Sequence, residues 1–385
     1  MIRLLLLPWL VMAVSLAAAD NPREKARQQV IETFQVLEDV PVDVDPEVVE
    51  GQWRAPPVDK DAYTLTFDEM REQWDHLMRG LRIPYPSPGY LEERYERFPH
   101  LLHEMHHQDH DWEQHSLNVL EVWHAFFRGD FQRARELGIH YGGYAQVPGV
   151  FAQILHAVYV AETRTEMKMH LRDAMERIRH YGTSFPFLSR EEEFRDDYVM
   201  MRLGLAYAVG RLAEDEAVAT TLAVGYVPMM LNASVDLLAV APEHPVALAL
   251  DAGFDAHVIR RLGQGLGRVT FGARPISARE HFEQALEIVD DMAVLHYEYA
   301  NSLLYIDSRA HAEAALAHLE KAVALEPLFA MEQLDILHAE KRLEEVRHWK
   351  ENGGGNYRVF DRQRRRAQRG EDENAYSVFH EPFTP

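Results

Sequence analysis

The chain has 385 residues, and 62 acidic side chains against 40 basic ones give it a formal charge of −22. This excess of negative charge argues against nucleic acid or an anionic membrane surface as the main partner. The sequence contains no cysteine, which excludes disulfide bonds, a catalytic thiol and a lipid-modified N-terminal cysteine.

Residues 1–19 have the pattern of a secretory signal peptide. Arg3 precedes an apolar run from Leu4 to Leu16, and three alanines end the run before Asp20. The run is shorter than an ordinary membrane-spanning helix, although an uncleaved anchor is an alternative interpretation. Together with the absence of cysteine, the pattern predicts a soluble periplasmic protein that is cleaved after Ala19.

Residues 20–61 are predicted to form a leader with one short helix that packs along the body of the protein. Four prolines in the second half of this segment prevent long regular structure. From Thr66 the sequence becomes helical, since Thr66 and Glu69 have the spacing of a capping box and an apolar stripe follows them. We therefore expect a helical domain over residues 62–348.

A histidine-rich stretch follows, in which residues 99–128 are predicted to form one helix without a glycine or proline inside it. On such a helix His103, His106, His107 and His110 share one face, opposite an apolar arc that includes Trp112 and Trp123. These four histidines are therefore expected to lie outside the core.

Two functions compete for this histidine stripe. Imidazoles at i, i+3 and i+4 can ligate a divalent ion such as zinc, copper or nickel, which makes His103, His106, His107 and His110 candidate metal ligands. Alternatively, the stripe is a polar face that lines a groove or faces water. No cofactor other than this possible divalent metal is expected.

The same stretch contains a literal match to the HExxH motif of zinc peptidases, in residues 103–107 (HEMHH). In that hypothesis His103 and His107 would bind zinc and Glu104 would act as the general base. The longer HExxHxxGxxH form fails because His110 and Glu113 stand at the glycine and third-histidine positions. A metallopeptidase is therefore the most remote of the alternatives.

Apolar stripes at helical spacing continue through residues 150–162, 166–179, 194–212 and 217–241. Residues 263–273 contain four glycines but lack the lysine and the preceding strand of a phosphate-binding loop. Glycine is therefore expected to allow close helix packing there.

The clearest pattern lies in residues 278–327. Ala315, Leu319, Ala322 and Pro327 stand at relative positions 0, 4, 7 and 12, where small residues let a neighbouring helix approach and proline ends the helix. Residues 306–310 supply the turn before this helix. A second copy of the spacing occurs 37 residues earlier, at Ala278, Phe282 and Ala285.

This stretch resembles the tetratricopeptide repeat (TPR) family, specifically over residues 278–327 and more loosely over residues 67–343. The resemblance implies an all-α, right-handed α-solenoid of antiparallel helix pairs, with a concave groove that binds proteins or peptides. Residues 349–385, with a glycine joint and an arginine-rich block, are predicted to form a flexible tail.

The resulting hypothesis is a non-enzymatic, exported scaffold or adaptor that binds a protein or peptide partner, without nucleic acid and without stable membrane insertion. The alternative is an accessory protein that binds a metal ion or a small molecule, through the histidine stripe or in an apolar groove.

Overall fold

The structure, a computed structural model, describes residues 21–33, 44–97, 111–183, 195–214 and 216–369. These residues form helices and connecting segments without a strand, which confirms the predicted all-α class for this part of the chain. The α-helices are α1 Pro22–Thr33, α2 Pro46–Val49, α3 Phe67–Leu77, α4 Pro88–Arg97, α5 Trp112–Arg128, α6 Phe131–Tyr141, α7 Gln146–Tyr159, α8 Arg164–Thr183, α9 Arg195–Ala213, α10 Val218–Ala223, α11 Tyr226–Val240, α12 Pro245–Leu262, α13 Gln264–Phe271, α14 Pro275–Ile288, α15 Ala293–Val323, α16 Ala330–Glu351 and α17 Tyr357–Arg369.

Helices that follow one another in the chain mostly pack against one another, as in α5–α6, α6–α7, α7–α8 and α15–α16. The two halves of the chain also meet, because α16 contacts α5. At this junction the Phe329 ring lies 5.1 Å from the ring of Phe127, and the Tyr159 hydroxyl donates to Asp335. The helix pairs therefore form an array in which the two halves of the chain touch. The solenoid itself stays a prediction.

The repeat spacing marks buried positions. Ala278, Phe282 and Ala285 of α14 are fully buried, as are the residues at the matching positions of α15. The long helix α15 is interrupted at Asp307, whose backbone is extended (φ −156°, ψ 93°) and whose carboxylate accepts from the N–H groups of Arg309 and Ala310. This break lies in the predicted turn over residues 306–310, because an aspartate at that position caps the helix that follows.

The capping box at the start of α3 is confirmed. The Thr66 hydroxyl accepts from the Glu69 N–H at 3.2 Å, and the Glu69 carboxylate accepts from the Thr66 N–H at 2.7 Å. Both contacts satisfy N–H groups that the first turn of a helix leaves without intrahelical partners.

The expected single helix over residues 99–128 is wrong at Asp111. Asp111 is extended (φ −86°, ψ 97°), and its carboxylate accepts from the N–H groups of Glu113 and Gln114, so that α5 begins at Trp112. A side-chain cap competes with helix continuation at aspartate, and the apolar periodicity alone does not reveal this competition. The prediction that the upstream histidines lie on the same helix as Trp112 and Trp123 therefore fails at Asp111.

Part of the leader packs into the body through buried ion pairs. Arg27 of α1 is 1% exposed and binds both Asp251 and Asp255 of α12, which are fully buried. The α1 backbone comes close to Gly272, where an added Cβ would lie 2.5 Å from the Arg23 carbonyl oxygen. Gly272 also has φ +67°, so both its backbone conformation and the close approach of α1 favour glycine.

The segment predicted as a flexible tail contains a packed helix. Tyr357 and Asp361 of α17 are each 2% exposed, and Asp361 accepts from Arg260 of α12 at 2.6 Å. The arginine-rich composition suggested a solvated tail, but Tyr357 and Asp361 are buried and Phe360 is partly buried on one face of this helix. In the described part of the chain, no helix combines the length and apolar character that a membrane span requires.

Candidate metal centre

The four histidines predicted as metal ligands, His103, His106, His107 and His110, lie outside the described residues. The HEMHH motif of the peptidase hypothesis lies there too. Within the described residues the structure brings together a different set of metal-ligating side chains.

This set consists of His156 in α7 and of Glu166 and His170 in α8. One ligand atom from each side chain lies within 4.8 Å of the other two. His156 and His170 are fully buried, and the Glu166 side chain is 24% exposed. The two imidazoles and the carboxylate therefore face one another at the point where the chain turns from α7 into α8.

The position of Glu166 follows from the start of α8. The Thr163 hydroxyl accepts from the Glu166 N–H at 3.1 Å, so Thr163 caps the helix. One Glu166 carboxylate oxygen accepts from the Glu162 N–H at 2.9 Å, and the other lies 3.6 Å from Nε2 of His156. The backbone therefore holds one oxygen while the second points towards the imidazole.

His170 lies one helical turn after Glu166, so both side chains project from the same face of α8. The residues around it on this face, Met167, Leu171 and Ala174, are buried in the core. Burial, together with the nearby His156, lowers the pKa of His170 to about 3. His170 is therefore neutral at physiological pH, which is the form of imidazole that binds a metal ion.

The Glu166 carboxylate is ionised, whereas His170 is neutral. Burial alone would raise the pKa of Glu166, but the interaction with His156 and the hydrogen bond from the Glu162 N–H lower it overall. Glu166 is therefore ionised at neutral pH and brings one negative charge to the cluster.

Trp53 of the leader covers the cluster. Its indole ring stacks on His156 at a centroid distance of 4.4 Å and meets His170 edge-on at 4.7 Å. The indole Nε1–H donates to the Val49 carbonyl at 2.9 Å, and the Trp53 N–H donates to the Gln132 side chain at 3.0 Å. These two bonds fix the ring over the imidazoles.

A polar network also contacts this indole. The Arg135 guanidinium carbon lies 5.8 Å from the centroid of the Trp53 ring, and Arg135 Nε donates to the Gln153 side-chain oxygen at 3.2 Å. Gln153 in turn donates to Asp173 at 2.8 Å. The network connects the leader, α6, α7 and α8, so the ligand-bearing helices are held in a fixed relation.

The decisive property of the cluster is its unsatisfied hydrogen-bonding capacity. Among the described residues, neither the two ring nitrogens of His170 nor Nδ1 of His156 has a hydrogen-bond partner, and Nε2 of His156 has only the 3.6 Å contact with Glu166. Buried polar atoms in folded proteins are nearly always paired, since each unpaired one costs about 1–3 kcal/mol. Two adjacent buried imidazoles with so few polar partners among the described residues are therefore poorly explained as ordinary core residues.

A divalent transition-metal ion fits this donor set. Zinc binds imidazole nitrogen and carboxylate oxygen at about 2.0–2.2 Å, which places tetrahedral ligand atoms roughly 3.4 Å apart. The distance of 3.6 Å between His156 Nε2 and Glu166 Oε1 is close to that value. Two histidines with one carboxylate also form the ligand set of several iron and zinc sites that keep coordination positions open.

One feature of the sequence indicates part of this site, although the histidine-rich stretch at residues 100–124 is more conspicuous. Thr163 and Glu166 have capping-box spacing, and Glu166 and His170 are four residues apart on one helix. The third ligand, His156, comes from another helix, and the covering Trp53 lies 103 residues before it. Only the tertiary structure brings these four side chains together.

Comparison with known proteins does not identify a relative with a similar site. No protein-family model matches the chain, and neither the curated proteins nor the solved structures contain a match. The function must therefore be inferred from the site itself.

Proposed function

We propose that this protein is an exported helical-repeat protein that binds one divalent transition-metal ion through His156, Glu166 and His170. The observation that carries the proposal is the pair of buried imidazoles beside Glu166, three of whose four ring nitrogens have no polar partner among the described residues, while the fourth lies 3.6 Å from the Glu166 carboxylate. Coordination would use one lone pair from each ring and offset the negative charge of Glu166. Three protein ligands leave coordination positions for a solvent molecule or a ligand group.

Equilibrium dialysis of the full chain against Zn²⁺, followed by elemental analysis, tests this proposal. We expect one tightly held ion in the wild-type protein and at least a tenfold weaker affinity in the Glu166→Gln variant, which keeps the size of the side chain and removes its charge. The His156→Gln/His170→Gln double variant should lose the ion, because two of its three ligands are gone. Circular dichroism would show whether each variant is folded.

The matched control is the His103→Ala/His107→Ala variant, which alters the histidine stripe and leaves the cluster intact. It should retain the tightly bound ion. If metal were lost in this variant but kept in the two cluster variants, the site would be in the histidine stripe and the proposal would be wrong.

Trp53 provides a separate optical test of the location of the ion. Because its ring lies 4.4 Å from the His156 ring, a bound Cu²⁺ ion should strongly quench the fluorescence of Trp53. The Trp53→Phe variant keeps an aromatic ring over the imidazoles, so it should still bind one ion and show much weaker quenching. Equal quenching in the wild-type and variant proteins would place the ion elsewhere.

The scaffold function suggested by the resemblance to TPR proteins is compatible with a bound metal ion and stays a prediction. An exported protein of this kind would hold its partner on the repeats, while the metal site lies between α7 and α8. Partner capture with wild-type protein and with the His156→Gln/His170→Gln variant would separate the two functions.

A further inference from the structure

A second candidate site lies away from the metal cluster, in a cavity of about 230 Å³ between α9, α11, α12 and α15. Its wall is mostly apolar and includes Val227, Met230, Leu250, Phe254, Val258 and Phe271. For comparison, an apolar cavity of about 150 Å³ in another protein is large enough to bind benzene. The present cavity therefore has room for a larger aromatic group or a medium-length hydrocarbon chain.

Charged side chains lie at one side of this cavity. The Arg211 guanidinium lies 2.9 Å from the Glu214 carboxylate and 3.3 Å from the Glu298 carboxylate. The same guanidinium donates to the Tyr207 hydroxyl at 3.3 Å. Arg211 thus interacts with two carboxylates that both line the cavity.

A second guanidinium in the wall, that of Arg261, is directed at the backbone. It donates to three carbonyl groups in residues 213–216, where α9 ends. There its positive charge complements the negative end of the helix dipole. His257, which also lines the cavity, meets the Tyr305 ring edge-on at 5.2 Å.

The ionisation of Glu298 depends on these neighbours. Its side chain is 29% exposed and lines the cavity. Burial raises its pKa overall, and the neighbouring Glu214 acts in the same direction, whereas Arg211 and Arg342 lower it in part. A cation brought into the cavity would stabilise the ionised form of Glu298.

We propose that the cavity binds an apolar organic cation, namely an amine whose hydrocarbon or aromatic body fills the apolar part and whose ammonium group lies at Glu298. Shape supports this ligand class because the wall is mostly apolar. Of the two guanidinium groups in the wall, Arg261 is directed at backbone carbonyls and Arg211 is shared between Glu214 and Glu298, so Glu298 is the group with which an ammonium would pair. Ligand sites commonly combine an apolar wall with a few placed polar groups in this way.

Calorimetric titration with octylamine, octanol and octanoate tests the proposal, because the three probes share one chain and differ in charge. We expect octylamine to bind at least tenfold more tightly than octanol, and octanoate to bind most weakly. In the Glu298→Gln variant the preference for octylamine over octanol should disappear while octanol still binds. Tighter binding of octanoate than of octylamine would overturn the proposal.

Gly253 offers a variant that blocks the cavity. It lines the cavity within α12, and a Cβ added there would meet no atom within 4 Å. Leucine also has a higher helix propensity than glycine, so Gly253→Leu should fold and fill the space. It should abolish binding of octylamine.

The matched control is Gly265→Leu in α13, where an added Cβ also meets no atom within 4 Å and the position does not line the cavity. This variant should bind octylamine like the wild type. Octylamine binding that persists in the Gly253→Leu variant, or that is absent from the wild type, would show that the cavity is not an amine site.

Discussion

Replacing Arg27 by alanine is expected to lower the free energy of unfolding by about 3–5 kcal/mol, the loss typical of a broken buried ion pair. Arg27 is 1% exposed and binds Asp251 and Asp255, which lie side by side on α12 without exposure to solvent. The variant would leave two buried carboxylates with much less positive charge around them. Urea-induced unfolding, followed by circular dichroism, measures the difference.

The effect should be large because the remaining partners do not replace Arg27. Burial alone would raise the pKa of Asp251, but Arg27, His281 and Arg23 hold it well below its usual value. Arg23 is 2.5 Å from Asp251, but its side chain is 12% exposed and only one of its nitrogens contacts the two carboxylates. Arg27 contacts each carboxylate with a separate nitrogen.

Two further variants test the interpretation. Arg27→Lys should recover only part of the lost stability, because an ammonium group cannot bind two carboxylates with the fork of a guanidinium. Arg347→Ala removes a pair with Glu320 in which both side chains are about half exposed, and should leave the unfolding midpoint unchanged. An Arg27→Ala protein as stable as the wild type would show that α1 does not dock on α12.

Replacing Asp335 by asparagine is expected to raise the free energy of unfolding at neutral pH, in contrast to the Arg27 variant. Asp335 lies in α16, is 4% exposed and accepts a hydrogen bond from the Tyr159 hydroxyl. Burial, together with the Glu332 and Glu298 carboxylates, raises its pKa to about 8. Asparagine is neutral at every pH and keeps an oxygen that accepts from Tyr159.

The sign and size follow from proton linkage. The pKa of Asp335 rises from 3.8, its ordinary value, to about 8 in the folded protein, so at pH 7 folding must take up a proton. The stability that Asp335 contributes is complete below pH 3.8 and decreases by about 1.4 kcal/mol per pH unit until pH approaches 8. The asparagine variant should therefore gain roughly 4 kcal/mol on the wild type between pH 4 and pH 7.

Paired unfolding curves of the wild-type and Asp335→Asn proteins at several pH values measure this difference, since other titrating groups cancel between them. Asp68→Asn is the control, because Asp68 is 83% exposed and its replacement should change stability little. A constant difference between wild type and Asp335→Asn would mean that Asp335 is ionised in the folded protein.

Much of the helical architecture could be predicted because it depends on local periodicity. Apolar stripes indicated the helices, the spacing of Ala315, Leu319 and Ala322 marked buried positions, and the turn before them lies at Asp307. The failures occur where a single side chain overrides the periodicity. Asp111 caps a helix where the pattern favoured continuation, and Tyr357 anchors a helix in a segment whose charge suggested a solvated tail.

The candidate site was less accessible to prediction. A cluster of histidines in one stretch is visible in the sequence, whereas His156 and His170 lie on different helices, each at a buried position among apolar residues. Their importance depends on their mutual distance, on the cover provided by Trp53 and on how few polar partners their rings have among the described residues. None of these properties is encoded in the neighbouring residues. A histidine at an apolar position of a predicted helix is consistent with a core residue as well as with a ligand.

The ion pairs between α1 and α12 also constrain the order in which the chain can fold. A ribosome makes α1 early, but its partners Asp251 and Asp255 appear more than 220 residues later. Until then α1 has no docking surface, and afterwards the two aspartates remain without Arg27 until α1 arrives. The first helix of the described part of the chain is therefore among the last to be packed, and its docking depends on a contact between segments that are far apart in the sequence.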